Sequence, residues 1–328
     1  MLKAFQNFIV VKTNTLHNED TPFKGVEGKS ITLDTTYDPQ RHSRAYAEVV
    51  SVPKHLSNIP ISQHHRGLPA YNDYSPYEYK YLSDIPLEIE VGDRAYFHFN
   101  TFVGKNIIKI DGVHPNRTWY FKCRVDQVIC VVREEKIIPT STYVLIEPDM
   151  ETWDDILVPT YSNIMGKDGK PQLRPKDKWL VRKVAPEKKY LLGFVKHVGS
   201  PLKGETCDLQ PDDHIVYRRL ADWVNKIEGR PYFAILQKYI MAKIVDGKLV
   251  PYGRNLLIKG EVLPEVTGAG VHLVKTAIVQ RGELVHAGNS DMHAGDYVEF
   301  GECDRQEIEF GGEKYLCIDS RNIWGIHI

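Results

Sequence analysis

One strand pattern occurs three times in this chain, and it constrains the fold more than any other feature. The segments YFKCRVDQVICVV (residues 120–132), YFAILQKYIMAKI (232–244) and YLCIDSRNIWGIH (315–327) align without a gap. Each begins with Tyr. Apolar residues fill the second column (Phe121, Phe233, Leu316), the fourth (Cys123, Ile235, Ile318) and the ninth (Val128, Ile240, Ile323). The eleventh column is small, holding Cys130, Ala242 and Gly325. Apolar alternation on either side of a polar break predicts a strand, a turn and a second strand, a closing hairpin with one buried face per strand. Such a recurrence comes before any local assignment, because it fixes how often one unit is used.

Three further pieces recur in the same order. Upstream of each copy stand VGDRAYF (91–97), PDDHIVY (211–217) and AGDYVEF (294–300), each a tight turn feeding an alternating strand. The shared Asp and the leading Tyr are 19 residues apart in the second and third copies and 27 apart in the first, which therefore carries a loop insertion. Before these come AEVVSVP (47–53), GFVKHVG (193–199) and GELVHAG (282–288), and each unit opens with a β-branched or leucine-rich run: FIVVK from Phe8, YVLIE from Tyr143, NLLIK from Asn255. Val-rich strands and Gly-Asp turns are common in any all-β protein. Four of them in one order, three times over, imply duplication. Lys136-Ile137-Ile138-Pro139 and Lys248-Leu249-Val250-Pro251 join one closing strand to the next opening one, and proline there ends the strand. The expected units are 1–138, 139–248 and 249–328.

Composition removes several classes of function. Lys plus Arg number 42 against 43 Asp plus Glu, so no long-range field draws in phosphate backbones or acidic membranes, and nucleic acid is not expected as a partner. The start, MLKAFQNFIVVK, has too short an apolar run for a signal peptide, and no stretch approaches a membrane span; a cytoplasmic protein is expected. Five cysteines without a Cys-x-x-Cys pair read as small buried hydrophobes rather than a zinc site or disulfide framework.

Candidate chemical motifs fail one by one. Gly199-Ser200-Pro201-Leu202-Lys203-Gly204-Glu205-Thr206 nearly has phosphate-loop spacing, but Glu205 stands where a lysine must meet the phosphates, so a turn after a strand is expected. His64-His65 lies in a Pro-rich stretch without further ligands at fixed spacing, and reads as a solvated loop. No nucleophile is paired with a base at recognisable spacing, and neither an enzyme nor a cofactor is expected.

The third unit carries a resemblance to a known family. It runs from Asn255-Leu256-Leu257-Ile258-Lys259 through Gly268-Ala269-Gly270-Val271-His272-Leu273 and Gly282-Glu283-Leu284 to Gly295-Asp296 and a final strand pair. This order resembles the ten-kilodalton co-chaperonin family typified by GroES, over about a third of the chain; the other two units follow through their similarity to this one. The resemblance implies an all-β chain of three tandem GroES-like, irregular, partly open β-barrels.

It also implies a function and sites. In that family the stretch after the opening strand is a mobile loop whose hydrophobic tip docks on a chaperonin ring, and ordering on docking eases release. Carried over by position, the tip is Val271, His272 and Leu273; its nearest counterparts are Ile31 and Leu33 in the first unit and Ile156, Leu157 and Val158 in the second. His272 departs from the family's aliphatic residue. The implied role is a non-enzymatic, homo-oligomeric co-chaperonin. Seven is not a multiple of three, so whole chains cannot tile a sevenfold ring with all barrels equivalent. The alternative is a structural or assembly protein, viral in one version, that uses the barrel as a building block. The insertion at 53–90 crowds Tyr71, Tyr74, Tyr77, Tyr79 and Tyr81 among prolines, which suits either an interface or a cap on the first barrel.

Overall fold

The computed structural model describes residues 2–14, 46–59, 81–97, 101, 104–113, 117–165, 171–184, 190–218, 224–261, 280–288, 292–300 and 306–327, with backbone alone for 155–165, 171–184, 224–225 and 261. Among them every extended element is a β-strand and the helical elements are three-residue 3-10 turns, so the fold is all-β. Strands β1 (Phe8–Thr13), β2 (Tyr46–Ser51), β3 (Arg94–Phe97), β4 (Ile107–Asp111), β5 (Thr118–Arg124), β6 (Val128–Arg133) and β7 (Lys136–Pro139) form the first sheet, in the order β4-β5-β1-β2-β3-β6-β7. After β8 (Tyr143–Pro148), β9 (Asp154–Met165) and β10 (Pro171–Val184) make a separate two-stranded sheet. The second sheet adds β11 (Tyr190–Val198), β12 (His214–Arg218), β13 (Val224–Ile227), β14 (Arg230–Leu236), β15 (Ile240–Val245) and β16 (Lys248–Pro251), in the order β13-β14-β8-β11-β12-β15-β16. The third comprises β17 (Asn255–Glu261), β18 (Gln280–His286), β19 (Tyr297–Phe300), β20 (Gln306–Phe310), β21 (Glu313–Asp319) and β22 (Ile323–His327), in the order β20-β21-β17-β18-β19-β22.

These three orders are one order. With β8 and β17 in the place of β1, and the later strands following in turn, the sheets have the same topology, the third without a counterpart of β7 and β16. All three are open sheets rather than closed barrels. Each sheet, together with its core, forms one module.

The modules also share backbone detail. The amide of the residue before the shared Asp donates to the Gly-x-Val-type strand: Gly92 to Val49 O (2.8 Å), Asp212 to Val195 O (2.7 Å) and Gly295 to Leu284 O (2.7 Å). That residue has φ of +97°, +69° and +97° respectively. The left-handed region explains two glycines and one aspartate there, because Gly has no Cβ to clash and Asp is among the residues that tolerate it best. A second triplet ties the turn after each Tyr-led strand to the residue before the opening strand: Val125 N to Asn7 O (3.0 Å), Gln237 N to Thr142 O (3.0 Å) and Ser320 N to Arg254 O (2.9 Å).

The Tyr-led segment is not a hairpin, contrary to the sequence expectation. Its first strand pairs with the opening strand (β5 with β1, Ile9↔Cys123) and its second with the Gly-Asp strand (β6 with β3, Tyr96↔Cys130), so the 3-10 turn between them is a corner. The second pairing slips at one place in every module: Tyr96↔Cys130 is followed by Phe97↔Val128, Val216↔Ala242 by Tyr217↔Ile240, and Glu299↔Gly325 by Phe300↔Ile323. The tenth-column residue is thus an unpaired bulge, Ile129, Met241 or Trp324, and a bulge re-aims side chains. Val128 and Val131 face the first module's core, while Ile129, Cys130 and Val132 pack elsewhere. This is why β6 is buried on both faces. The supposed connectors are strands as well: β7 pairs with β6 and β16 with β15, and Pro139 and Pro251 close them at their last residue, where a missing donor costs little.

By compactness the chain divides into two units: Met1–Ile146 with Val195–Asp212 and Trp223–Lys238, and Glu147–Phe194 with Asp213–Asp222 and Tyr239–Ile328. Unit one encloses the first module's core, built on Ile9, Val11, Val49, Phe97, Phe121 and Val128. Unit two encloses the third's, built on Leu256, Ile258, Leu284, Val298, Phe300 and Ile318. Large side chains fully buried in this way each contribute about 1.5–3 kcal/mol.

Candidate docking surfaces

Strand pairing holds the candidate loops at their ends. β17 and β18 pair as far as Glu261↔Arg281, so the chain leaves one strand end and returns at its neighbour. Val271, His272 and Leu273 fall between, outside the described residues, as do Ile31 and Leu33 between β1 and β2. Ile156, Leu157 and Val158 are placed: they lie near the start of β9, paired with Arg182, Val181 and Leu180 of β10. That is the base of a ladder, far from its turn.

The described part of the first module's insertion is anchored at its trailing flank. Tyr71, Tyr74, Tyr77 and Tyr79 lie outside the described residues; Tyr81 is half-buried, and its backbone N–H donates to Asp84 Oδ2 (2.9 Å). Its trailing flank sends Leu82, Ile85 and Ile89 into the first core at 1, 5 and 2% exposure. Leu202 joins them, Lys203 N donates to Asp84 O (2.8 Å), and the Ser200 hydroxyl donates to Glu88 Oε1 (2.6 Å). The near-phosphate loop is therefore a packing turn. A Cβ on Gly199 would stand 2.7 Å from Tyr143 O, so glycine there serves close backbone approach.

Charge at the Gly-Asp turn is structural in the same way. Asp93, 3% exposed, accepts from Arg133 Nε and Nη2 (2.8 Å each) and from Glu90 N (2.7 Å), while Arg133 also donates to Glu90 Oε1 (2.6 Å) and Glu88 O (2.8 Å). The Asp93 hydrogen bonds raise the guanidinium's pKa further.

Two extensive outward faces are used within the units. In unit one, Tyr96, Ile129, Cys130 and Val132 of the first module pack on Tyr143, Leu145, Ile227, Tyr232 and Ala234 of the second. In unit two, Tyr190, Val216, Met241, Ala242 and Leu249 of the second pack on Leu257, Ile308 and Cys317 of the third. The donor positions correspond by strand pairing: Ile129 to Met241, Cys130 to Ala242, Tyr96 to Val216. So do the receiving positions Leu145 and Leu257, opposite Ala234 and Cys317. One joint has been made twice. At the first, the Tyr96 hydroxyl donates to Glu228 Oε1 (2.9 Å), which also meets Arg94 Nη1 (2.7 Å). Burial, then the hydrogen bond to Glu228, pushes the Tyr96 phenol up to about 12. At the second, the Tyr190 hydroxyl donates to Glu309 O (2.6 Å). Sequence reasoning missed these faces; the signal was the apolar tenth column, which a two-faced strand has no use for unless its outer face is covered.

None of this is reactive chemistry. Burial raises the Cys123 and Cys130 thiols and pushes Cys317 up to about 12, so they are poor nucleophiles. Among the described residues no group of three His, Cys, Asp or Glu side chains is placed to hold a metal ion, and no helix is long and apolar enough to cross a membrane.

No family model matches the chain. It is similar to co-chaperonins. It is 32% identical over 80 residues to the chloroplastic 10 kDa chaperonin 1 of Arabidopsis thaliana, covering 23% of this chain and 58% of that protein. It is 28% identical over 81 residues to the co-chaperonin GroES of Methanosarcina barkeri, covering 22% of this chain and 88% of the relative. With the co-chaperonin GroES of Thermosipho africanus it shares 35% identity over 83 residues, 23% of this chain and 92% of the relative. A relative matched at 35% identity over 92% of its own length leads to a single conclusion: this chain belongs to the GroES co-chaperonin family.

Proposed function

We propose that the chain is a non-enzymatic co-chaperonin of three duplicated modules, the first ending with β7 at Pro139 and the second with β16 at Pro251, which acts in the cytoplasm by docking on a chaperonin ring. The anchors are Val271, His272 and Leu273. The observation that carries this is the pairing of Glu261 with Arg281, which sets the two ends of the intervening segment side by side at the ends of neighbouring strands. It is supported by the match to co-chaperonins over about the length of one module. The mechanism is apolar docking with an ordering cost: the tip buries aliphatic surface against the ring and the entropy lost keeps the complex reversible. The segment at the same place after β1 gives the chain a further point of attachment, and linked weak contacts raise avidity without new chemistry.

Co-sedimentation with a GroEL-type chaperonin tests this. A nucleotide-dependent complex is expected, weakened roughly tenfold or more by Leu273→Asp, the scale of losing a buried anchor. Absence of a complex with and without nucleotide sinks the proposal.

A further inference from the structure

The two-stranded ribbon of β9 and β10 has one edge closed to further pairing and one open. The strands are 12 and 14 residues long, pair with each other and, among the described residues, with no third strand. Such a ribbon is marginally stable by itself, and each unpaired edge is a row of backbone donors and acceptors that templates another strand. β10 carries the devices that prevent this: Pro171 and Pro175, a break in register between Pro175 and Trp179, and the cations Arg174, Lys176 and Lys178. β9 has a single proline, Pro159, and from Ile156 to Met165 it carries no charge.

The order of residues along β9 identifies the occupant of the open edge. Outward from Tyr161, Thr160 answers Ser162, Val158 answers Ile164 and Leu157 answers Met165; Pro159 and Asn163 are the one unlike pair. A strand that reads nearly alike in both directions is complementary to its own antiparallel copy. We propose that two copies of the chain pair along β9, antiparallel, with Tyr161 opposite Tyr161 on a two-fold axis, making a four-stranded sheet in the order β10-β9-β9-β10. Directly opposite residues share a face, so the odd-numbered residues of both β9 strands lie on the same side. In each copy that face holds Leu157, Pro159, Tyr161 and Met165, with Trp179 and Val181 at paired positions of β10. Pairing doubles this apolar face, and it sets an aromatic pair at the centre, aliphatic pairs on either side and Thr160 opposite Ser162, all favourable cross-strand combinations. A bilayer is ruled out as the occupant, because lipid offers no partner to the backbone groups of an open edge. The contact is isologous and closes at two chains, leaving the rest of each chain free for other partners.

Disulfide trapping in the full chain tests this register without any chaperonin and regardless of other contacts between chains. Directly opposite Cα atoms stand about 4.5–5.5 Å apart, within the about 4.4–6.8 Å that a disulfide spans. Under mild oxidation, Tyr161→Cys is expected to give a covalent dimer in which peptide mass mapping finds position 161 joined to itself. Val158→Cys stands about 20 Å from its own copy at about 3.4 Å per residue, so alone it is expected to give no such link. Mixed with Ile164→Cys, it is expected to join position 158 to position 164. Adding Tyr161→Lys to both members of that mixture sets like charges opposite each other and is expected to cut the yield of the linked peptide roughly tenfold. Failure of both Tyr161→Cys and the mixed pair to link overturns the proposal. So does Val158→Cys joining itself as readily as Tyr161→Cys, the mark of chance collision, or a mixed-pair yield that Tyr161→Lys leaves unchanged.

Discussion

Glu134 and Glu135 show how one turn has been solved differently in two modules. They join β6 to β7 with φ of +48° and +65°, where the second module uses Asp246 and Gly247 at +49° and +72°. A side chain in the left-handed region costs about 1–2 kcal/mol, partly offset by its lower entropy when unfolded. Glu135→Gly is therefore expected to stabilise the protein by about 0.5–1 kcal/mol, measured by chemical denaturation. Tyr96 carries a pH dependence of definite sign. Its phenol titrates higher folded, near 12, than its ordinary 10.0, so its contribution is whole below pH 10 and is lost as pH rises towards 12. Tyr96→Phe is expected to flatten the alkaline limb of the stability profile. Burial of Cys123, Cys130 and Cys317 predicts that a thiol reagent at about pH 8 labels half-exposed Cys207 and spares those three until the chain unfolds, as peptide mass mapping reads. The cysteines were legible in the sequence because a thiol on an alternating strand has one place to go. Tyr96 was not, because its partner Glu228 is 132 residues away.

Strand alternation identified the elements but could not say which pairs with which. Residues 120–132 read as a hairpin because a short polar break normally turns a strand back on its neighbour; here a 3-10 turn rounds a corner, and the partners are β1 and β3. Lys136–Pro139 read as a linker because of its proline, whereas a four-residue edge strand tolerates proline at its end. The bulge in β6 and its counterparts matters most at this scale, since it turns the tenth column outward. Ile129→Ala is expected to cost about 2–4 kcal/mol, because it opens a cavity in a packed joint. Trp324→Ala, at the same column but in water, is expected to cost about 0.5 kcal/mol or less in folding. Thermal or chemical denaturation of the two variants side by side reads the difference directly. Similar losses from both would mean that the columns are not equivalent.

One topology, present in all three sheets, accounts for the two internal joints. The order of elements was written in the sequence, because spacing and strand type recur in all three modules. The joints were not, because they form between residues about a hundred positions apart whose side chains have diverged, as Lys122, Ala234 and Cys317 have. The candidate anchors Val271, His272 and Leu273 were reached through family likeness, and the described residues fix the ends of their segment alone. Repetition of the module is the claim on which the rest stands, and residue-resolved native-state amide exchange tests it most directly. Two matched triplets of slow amides are expected, Gly92 with Asp212 and Gly295, and Val125 with Gln237 and Ser320, each donating to the equivalent carbonyl of its module. Triplets in which one amide is protected while its counterparts exchange freely would contradict it.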